Sequence, residues 1–354
     1  MSLATVDYSL VGRVLASDLF SDNGVLLLPE ETLITAAHVE LLHKQHVHFV
    51  EVREIRSEGS GEQIKAQLME LEADVETIAA YVQALDETRL LFEQVGKHEA
   101  SCLDKFSEVF DKIAEQTVNR LGLFRSLYVL EGTDSYTYRH SLNVGILCSL
   151  IARIIKWDAK QIAFMGMAGF LHDLGKMKVP KDILLKPDKL TDAEFEEVKK
   201  HTIYGYEMIR EMDGGTELLA QCALLHHERL DGSGYPQGRK GNEIPLECQV
   251  LAIADMFDAV CSDRVYKDRT SPFEAAQVLW KEACDGKLNI EIVSKFVHYI
   301  AQLYVGARAR LNNGDEVEVI LIHQDEPMRP LVRKSGEFVD LRQVRHLTIE
   351  KMIG

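Results

Sequence analysis

The sequence predicts a mainly α protein, and three patterns in its 354 residues support that class. Stretches over residues 142–155, 162–171 and 218–225 are almost wholly apolar and show no polar face, as helices buried on all sides do. Ile64, Leu68, Leu71, Val75, Ile78, Val82 and Leu85 recur at alternating steps of four and three, the seam spacing of a coiled coil. Beyond Ala307 apolar and polar residues alternate, the period of strands. The expected organisation is a small α+β N-terminal module (1–57), a long helical connector with the heptad seam (62–125), an all-helical domain (126–304) and a short β-rich C-terminal segment (305–354).

Each element has a local reason. In the N-terminal module LVGRVLASDLF and VLLLPEETLI flank Asn23-Gly24, a strong hairpin signal, and are followed by a helical AAHVELLHKQ and a strand in HFVEV. Ser57, Glu58, Gly59, Ser60 and Gly61 read as a break before the connector. Two readings of the seam stay open. It pairs with a second copy to make a homodimer, or it packs on the later helix carrying Phe106, Phe110, Ile113 and Leu121, after a break near Gly96-Lys97. In the C-terminal segment, turns at Asn313-Gly314 and Ser335-Gly336 separate the alternating runs.

Composition removes some functions. A formal net charge of -16 with no basic tract excludes extended nucleic acid as a partner, because a phosphate backbone needs a cationic surface. No run reaches the roughly 20 apolar residues of a membrane span, and MSLATVDYSLVGR lacks the basic-then-apolar pattern of a leader. The six cysteines form no Cys-x-x-Cys pair and are expected to be free, buried thiols of a cytoplasmic protein with no membrane partner.

Seven residues carry the chemistry: His140, His172, Asp173, His201, His226, His227 and Asp255. His172 and Asp173 arrive together at the end of one apolar helix, and His226 and His227 repeat the device at the end of another. Adjacent residues on a helix point roughly 100° apart, so Asp173 can bridge to a second cation while His172 holds the first. Asp255 lies among aliphatic neighbours in VLAIADMFDAV, where a lone carboxylate is costly and a metal would compensate it. His201 falls in a predicted amphipathic helix, FEEVKKHTIYGYEMI. Imidazole and carboxylate donors without a cysteine pattern suit Fe, Mn or Zn.

HDLGK (172–176), HHERLDGSGYP (226–236) and AIADMFDAVCSDRVYK (252–267) resemble the motifs of the HD-GYP family of cyclic di-GMP phosphodiesterases, over about 130–304. The resemblance implies two divalent ions per chain, Fe or Mn before Zn or others. His140, His172, Asp173 and Asp255 would hold one, with Asp173 bridging, and His201, His226 and His227 the other. It also implies that Lys176 acts near the reacting phosphate beside the catalytic Asp173, and that Tyr235, Arg264 and Lys267 contact the substrate. Some members place a Glu four residues before the first His to hold a third ion. Tyr136 stands there, and a phenol with a pKa of about 10 is a poor ligand at neutral pH, so two ions are expected.

The activity implied is hydrolysis of cyclic di-GMP to linear pGpG, with a second cut to GMP left open, by water activated between two cations and attacking phosphorus in line. Two alternatives remain: preference for a hybrid cyclic GMP-AMP ring, and a catalytically weak cyclic-dinucleotide sensor signalling through the connector. The complete ligand set and Lys176 weigh against the sensor.

Overall fold

The computed structural model describes residues 2–6, 15–17, 19–20, 26–28, 32, 34, 36–45, 47, 49–52, 75–97, 102–117, 136–184, 186, 189–262 and 271–353. Two compact units emerge, Met1–Glu87 with Asn119–Tyr136, and Thr88–Val118 with Thr137–Gly354.

In the first unit, β1 (Ser2–Thr5) pairs antiparallel with β4 (Phe49–Val52), and β2 (Leu19–Phe20) pairs with β3 (Leu26–Leu28). Helix α1 (Ala36–Lys44) contributes Val39 and Leu42 to a core with Val6, Leu15, Leu28, Ile34, Val50 and Val52. Along β4, Phe49 and Glu51 face out while Val50 and Val52 are buried, the alternation that makes this segment a strand. β1 precedes the first strand anticipated from the pattern, and the hairpin positions Asn23 and Gly24 lie outside the described residues.

The second unit is helical with a sheet at its C-terminal end, so the mainly α class holds. Helix α2 (Val75–Gly96), whose residues up to Glu87 fall in the first unit, stops where the Gly96-Lys97 break was expected, and α3 (Leu103–Thr117) follows. Phe92 of α2 and Phe106 and Phe110 of α3 pack with Phe170 in one aromatic cluster, with ring centroids 5.4–6.1 Å apart. Ile64, Leu68, Leu71 and Leu121 lie outside the described residues.

The helices that follow are α4 (Tyr136–Ile154), α5 (Ala159–Leu171), the short α6 (Lys181–Leu184), α7 (Asp192–Lys199), α8 (His201–Glu211), α9 (Glu217–Leu225), α10 (Leu246–Ser262), α11 (Pro272–Cys284) and α12 (Ile290–Gln302). Capping fixes several starts. Asp158 with Gln161, Thr191 with Glu194, and Ser271 with Glu274 each form a capping box, satisfying amide donors that the first helical turn leaves unpaired. The single helix expected around His201 is instead two, α7 and α8, meeting at Lys200.

One close approach positions the centre. The 3-10 turn Leu174–Lys178 lies against α8, and a Cβ on Gly175 would fall 2.0 Å from the His201 carbonyl oxygen and 2.4 Å from the Gly205 nitrogen. Only glycine fits between two backbones this near, so Gly175 brings the turn after Asp173 onto the helix that begins with His201.

The C-terminal segment forms a five-stranded antiparallel sheet of β5 (Arg308–Leu311), β6 (Glu316–Leu321), β7 (Leu331–Lys334), β8 (Glu337–Asp340) and β9 (Ile349–Ile353), ordered β8-β7-β6-β5-β9. The turn between β7 and β8 has φ of 49° at Ser335 and 90° at Gly336, the left-handed pair that tight hairpins need. Gln277 of α11 donates to the Ile349 carbonyl at 3.0 Å and ties the sheet to the helices. Among the described residues, no helix is long and apolar enough to cross a membrane. The cysteines are free, but burial is not uniform: Cys102 is partly exposed and Cys284 exposed, because they sit at element ends rather than within apolar runs.

Candidate metal centre

Helix ends and helix faces deliver the seven residues to one place. His172 caps α5 and Asp173 follows it; His226 caps α9 and His227 follows; His201 opens α8; His140 and Asp255 project from within α4 and α10. Apart from His227, whose side chain retains 21 % exposure, all are buried.

Their donor atoms converge in three overlapping groups, His140 with His172 and Asp255, His172 with Asp173 and His226, and His201 with His226 and His227, each within 4.8 Å. Asp173 stands in the middle. Its Oδ2 lies 3.5 Å from His140 Nε2 and 3.4 Å from His172 Nε2, while Oδ1 lies 3.4 Å from His201 Nε2 and 3.9 Å from His226 Nε2. Asp255 completes the first side, 3.1 Å from His140 Nε2 and 3.6 Å from His172 Nε2, and approaches His227 Nδ1 at 3.6 Å.

The far side of each ring is already committed. Nδ1 of His172 donates to the Gly169 carbonyl at 2.7 Å, Nδ1 of His201 to Val198 at 2.6 Å, and Nδ1 of His226 to Ala223 at 2.8 Å. Each carbonyl lies three residues back, so local helix geometry fixes the tautomer and aims Nε2 inward. His140 is held differently, with Nδ1 2.7 Å from Oδ2 of the buried Asp258. Asp258 was not anticipated; the signal was its spacing of three from Asp255, which puts both on one face of α10.

Electrostatics divide the centre. Burial disfavours the charged form of His140, yet hydrogen bonds to Asp255 and Asp258 override it and raise its pKa from 6.5 to about 10. Burial lowers His201 to about 4 and His227 to about 3, and pushes His226 well below the usual range with help from His227. Burial also opposes ionisation of Asp173 and Asp255, but Lys176 and the histidines hold the first well below the usual carboxylate range, and His140 and His172 the second. Neutral imidazoles and ionised carboxylates are the forms that bind metal. His172 Nε2 and Asp173 Oδ1 are buried with no hydrogen-bond partner, an arrangement that fits a cation on each side of Asp173.

The GYP segment forms the rim. Glu228 is buried and accepts from the backbone nitrogens of Gln237 at 2.7 Å and Arg239 at 3.0 Å, folding the loop back over the histidine pair. Gly234 fits because a Cβ there would lie 2.4 Å from the His227 carbonyl oxygen. Tyr235 lies on the His227 ring, centroids 4.6 Å apart at 33°. Glu228 was not singled out in the sequence, although it occupies the third position of HHE. Lys176 ion-pairs with Asp173 at the edge of the centre, whereas Arg264 and Lys267 lie outside the described residues.

The HD domain family matches residues 126–292. The cyclic di-GMP phosphodiesterase PA4108 of Pseudomonas aeruginosa is 35% identical over 229 residues, 64% of this chain and 54% of that protein. The 3'3'-cGAMP-specific phosphodiesterase 1 of Vibrio cholerae is 32% identical over 179 residues, 50% of this chain and 41% of that protein. The chain thus spans about half the length, or less, of the curated relatives it matches. Bd1817, an HDG"Y"P protein of Bdellovibrio bacteriovorus, shares the fold at a TM-score of 0.53 and 14% identity, covering 84% of this chain and 99% of that one. With the HD pair, the histidine pair and the GYP rim gathered at one centre, residues 126–292 of this chain form an HD domain that carries the motifs of the HD-GYP type.

Proposed function

We propose that the protein is a metal-dependent phosphodiesterase that opens cyclic di-GMP to linear pGpG, with GMP as the product of a second cut. One observation carries the reading: a buried carboxylate, Asp173, stands between two sets of nitrogen donors with an oxygen turned to each. His140, His172, Asp173 and Asp255 would hold one divalent ion, and Asp173, His201, His226 and His227 a second, Fe or Mn by donor type. When bound, two such ions supply Lewis acidity at the phosphoryl oxygens and an activated water.

The chain's own residues do the rest. Asp258, Gly169, Val198 and Ala223 fix ring orientation, so the donors need not reorganise when charge develops on the phosphate. Lys176 brings an ammonium to the edge of the centre, from which it can protonate or neutralise the departing oxygen. Tyr235 and the loop held by Glu228 form a wall against which a nucleotide can lie. Arg264 and Lys267 join the substrate contacts on the resemblance of SDRVYK alone.

A second reading, preference for a hybrid cyclic GMP-AMP ring, draws support from the similarity to the Vibrio cholerae enzyme. Parallel turnover of both rings by protein of measured metal content tests the two. Faster cleavage of cyclic di-GMP with about two ions per chain is expected; a strong preference for the hybrid ring overturns the first choice, and a third well-occupied ion overturns the count. Homodimerisation through the connector is part of the proposal, and deletion of residues 64–85 should then lower the number of chains per particle measured by light scattering; an unchanged number favours packing within one chain.

A further inference from the structure

Helix α7 carries an unexplained feature beside the rim. Phe195 is 46% exposed, and Lys199, four residues on, shares its helical face. The Phe195 ring stands edge-on to Tyr235, centroids 6.5 Å apart at 75°, and Tyr235 in turn covers the His227 ring. Lys199 Nζ lies over both aromatic rings, 4.9 Å from the Phe195 centroid and 5.4 Å from that of Tyr235. Aromatic surface therefore runs without a gap from a candidate metal ligand out to solvent, with an ammonium above it.

The position of this surface is fixed. Thr191 caps α7 through Glu194, and Lys186 pairs with the same Glu194 at 2.7 Å. At the other end, the Val198 carbonyl orients His201, so the helix bearing Phe195 and Lys199 is in register with the centre. Lys199 pairs with Glu196 at 2.6 Å, and that carboxylate is 67% exposed; such a pair is weak, and the ammonium can exchange it for a ligand.

A cyclic dinucleotide with one phosphate at the metals must set a base on the adjoining surface. We propose that Phe195 and Lys199 form this base subsite, Phe195 stacking on a purine and Lys199 donating to the acceptor edge of guanine. Guanine offers O6 and N7 as acceptors, whereas adenine presents an amino donor in place of O6, so Lys199 favours guanine. The proposal rests on the cyclic-dinucleotide reading above.

The test compares kcat/KM for cyclic di-GMP with that for methyl p-nitrophenyl phosphate, a diester without a purine. In Phe195→Ala the ratio of the two should fall about tenfold, mainly through KM, at unchanged metal content, and Phe195→Trp should restore it. Lys199→Met should lower the ratio less, and should lower it more for cyclic di-GMP than for cyclic di-AMP, which carries no guanine. An unchanged ratio in Phe195→Ala overturns the subsite, whatever happens to the absolute rates. Wild-type protein that cleaves the small diester but neither cyclic dinucleotide overturns the substrate class instead.

Discussion

The two halves of the centre are made from different chemistry around one shared carboxylate. On one side His140 is wedged between Asp255 and Asp258 and keeps a proton, with a pKa of about 10. On the other side His201 and His227, at about 4 and 3, are neutral because burial offers them nothing that outweighs the cost of charge. Orientation divides less cleanly: a side chain from another helix holds His140, whereas backbone carbonyls of the preceding turn hold His172 in the same half and His201 and His226 in the other. The halves should therefore differ in proton release on loading and in sensitivity to mutation.

The largest effect should come from the group both halves share. Asp173→Ala is expected to reduce turnover to background and to strip metal from both halves while the far-ultraviolet circular dichroism stays helical; undiminished hydrolysis would refute the site. Next, Asp258→Asn should weaken metal binding in the His140 half about 10- to 100-fold, by removing the carboxylate that orients the ring, and leave the other half intact. Metal titration resolving two affinities measures this, and an equal loss in both halves would show that the division is not real.

Without metal, stability should fall on both sides of about pH 6.5. Below it, unfolded imidazoles take up protons that folded His201, His226 and His227 refuse, so stability is lost as pH drops from 6.5 toward 4. Above it, folded His140 keeps a proton that the unfolded chain releases, so its contribution is lost as pH rises from 6.5 to about 10. Each pKa unit is worth about 1.4 kcal/mol, and denaturant midpoints across pH would show the dome. The smallest signal is calorimetric. Loading at pH 7.5 should release about one proton, from His140, and none from the other half, read from the dependence of heat on buffer ionisation enthalpy.

Much of the centre is legible in the sequence because helix ends are local events. The apolar runs before His172 and His226 end where the spacing says they end, and each ring is oriented by a carbonyl three residues back. The break at Lys200 is less legible, since residues 192–211 carry no proline or capping signal at that point. It gives His201 its place as the first residue of α8, held by Val198. Asp258 and Glu228 were present in motifs already noticed, but nothing local distinguishes a carboxylate that orients a ligand or ties down a loop from one that faces water.

By itself, the sequence determined the mainly α class and the placing of His172-Asp173 and His226-His227 at the ends of buried helices, because periodicity and hydropathy act over one or two turns. Tertiary structure decided the rest. It brought Asp258 onto a histidine 118 positions away, pressed the turn at Gly175 against α8, and left Phe195 exposed beside Tyr235. These contacts depend on which helices pack together, and the apolar faces that drive packing specify burial far more strongly than they specify a partner.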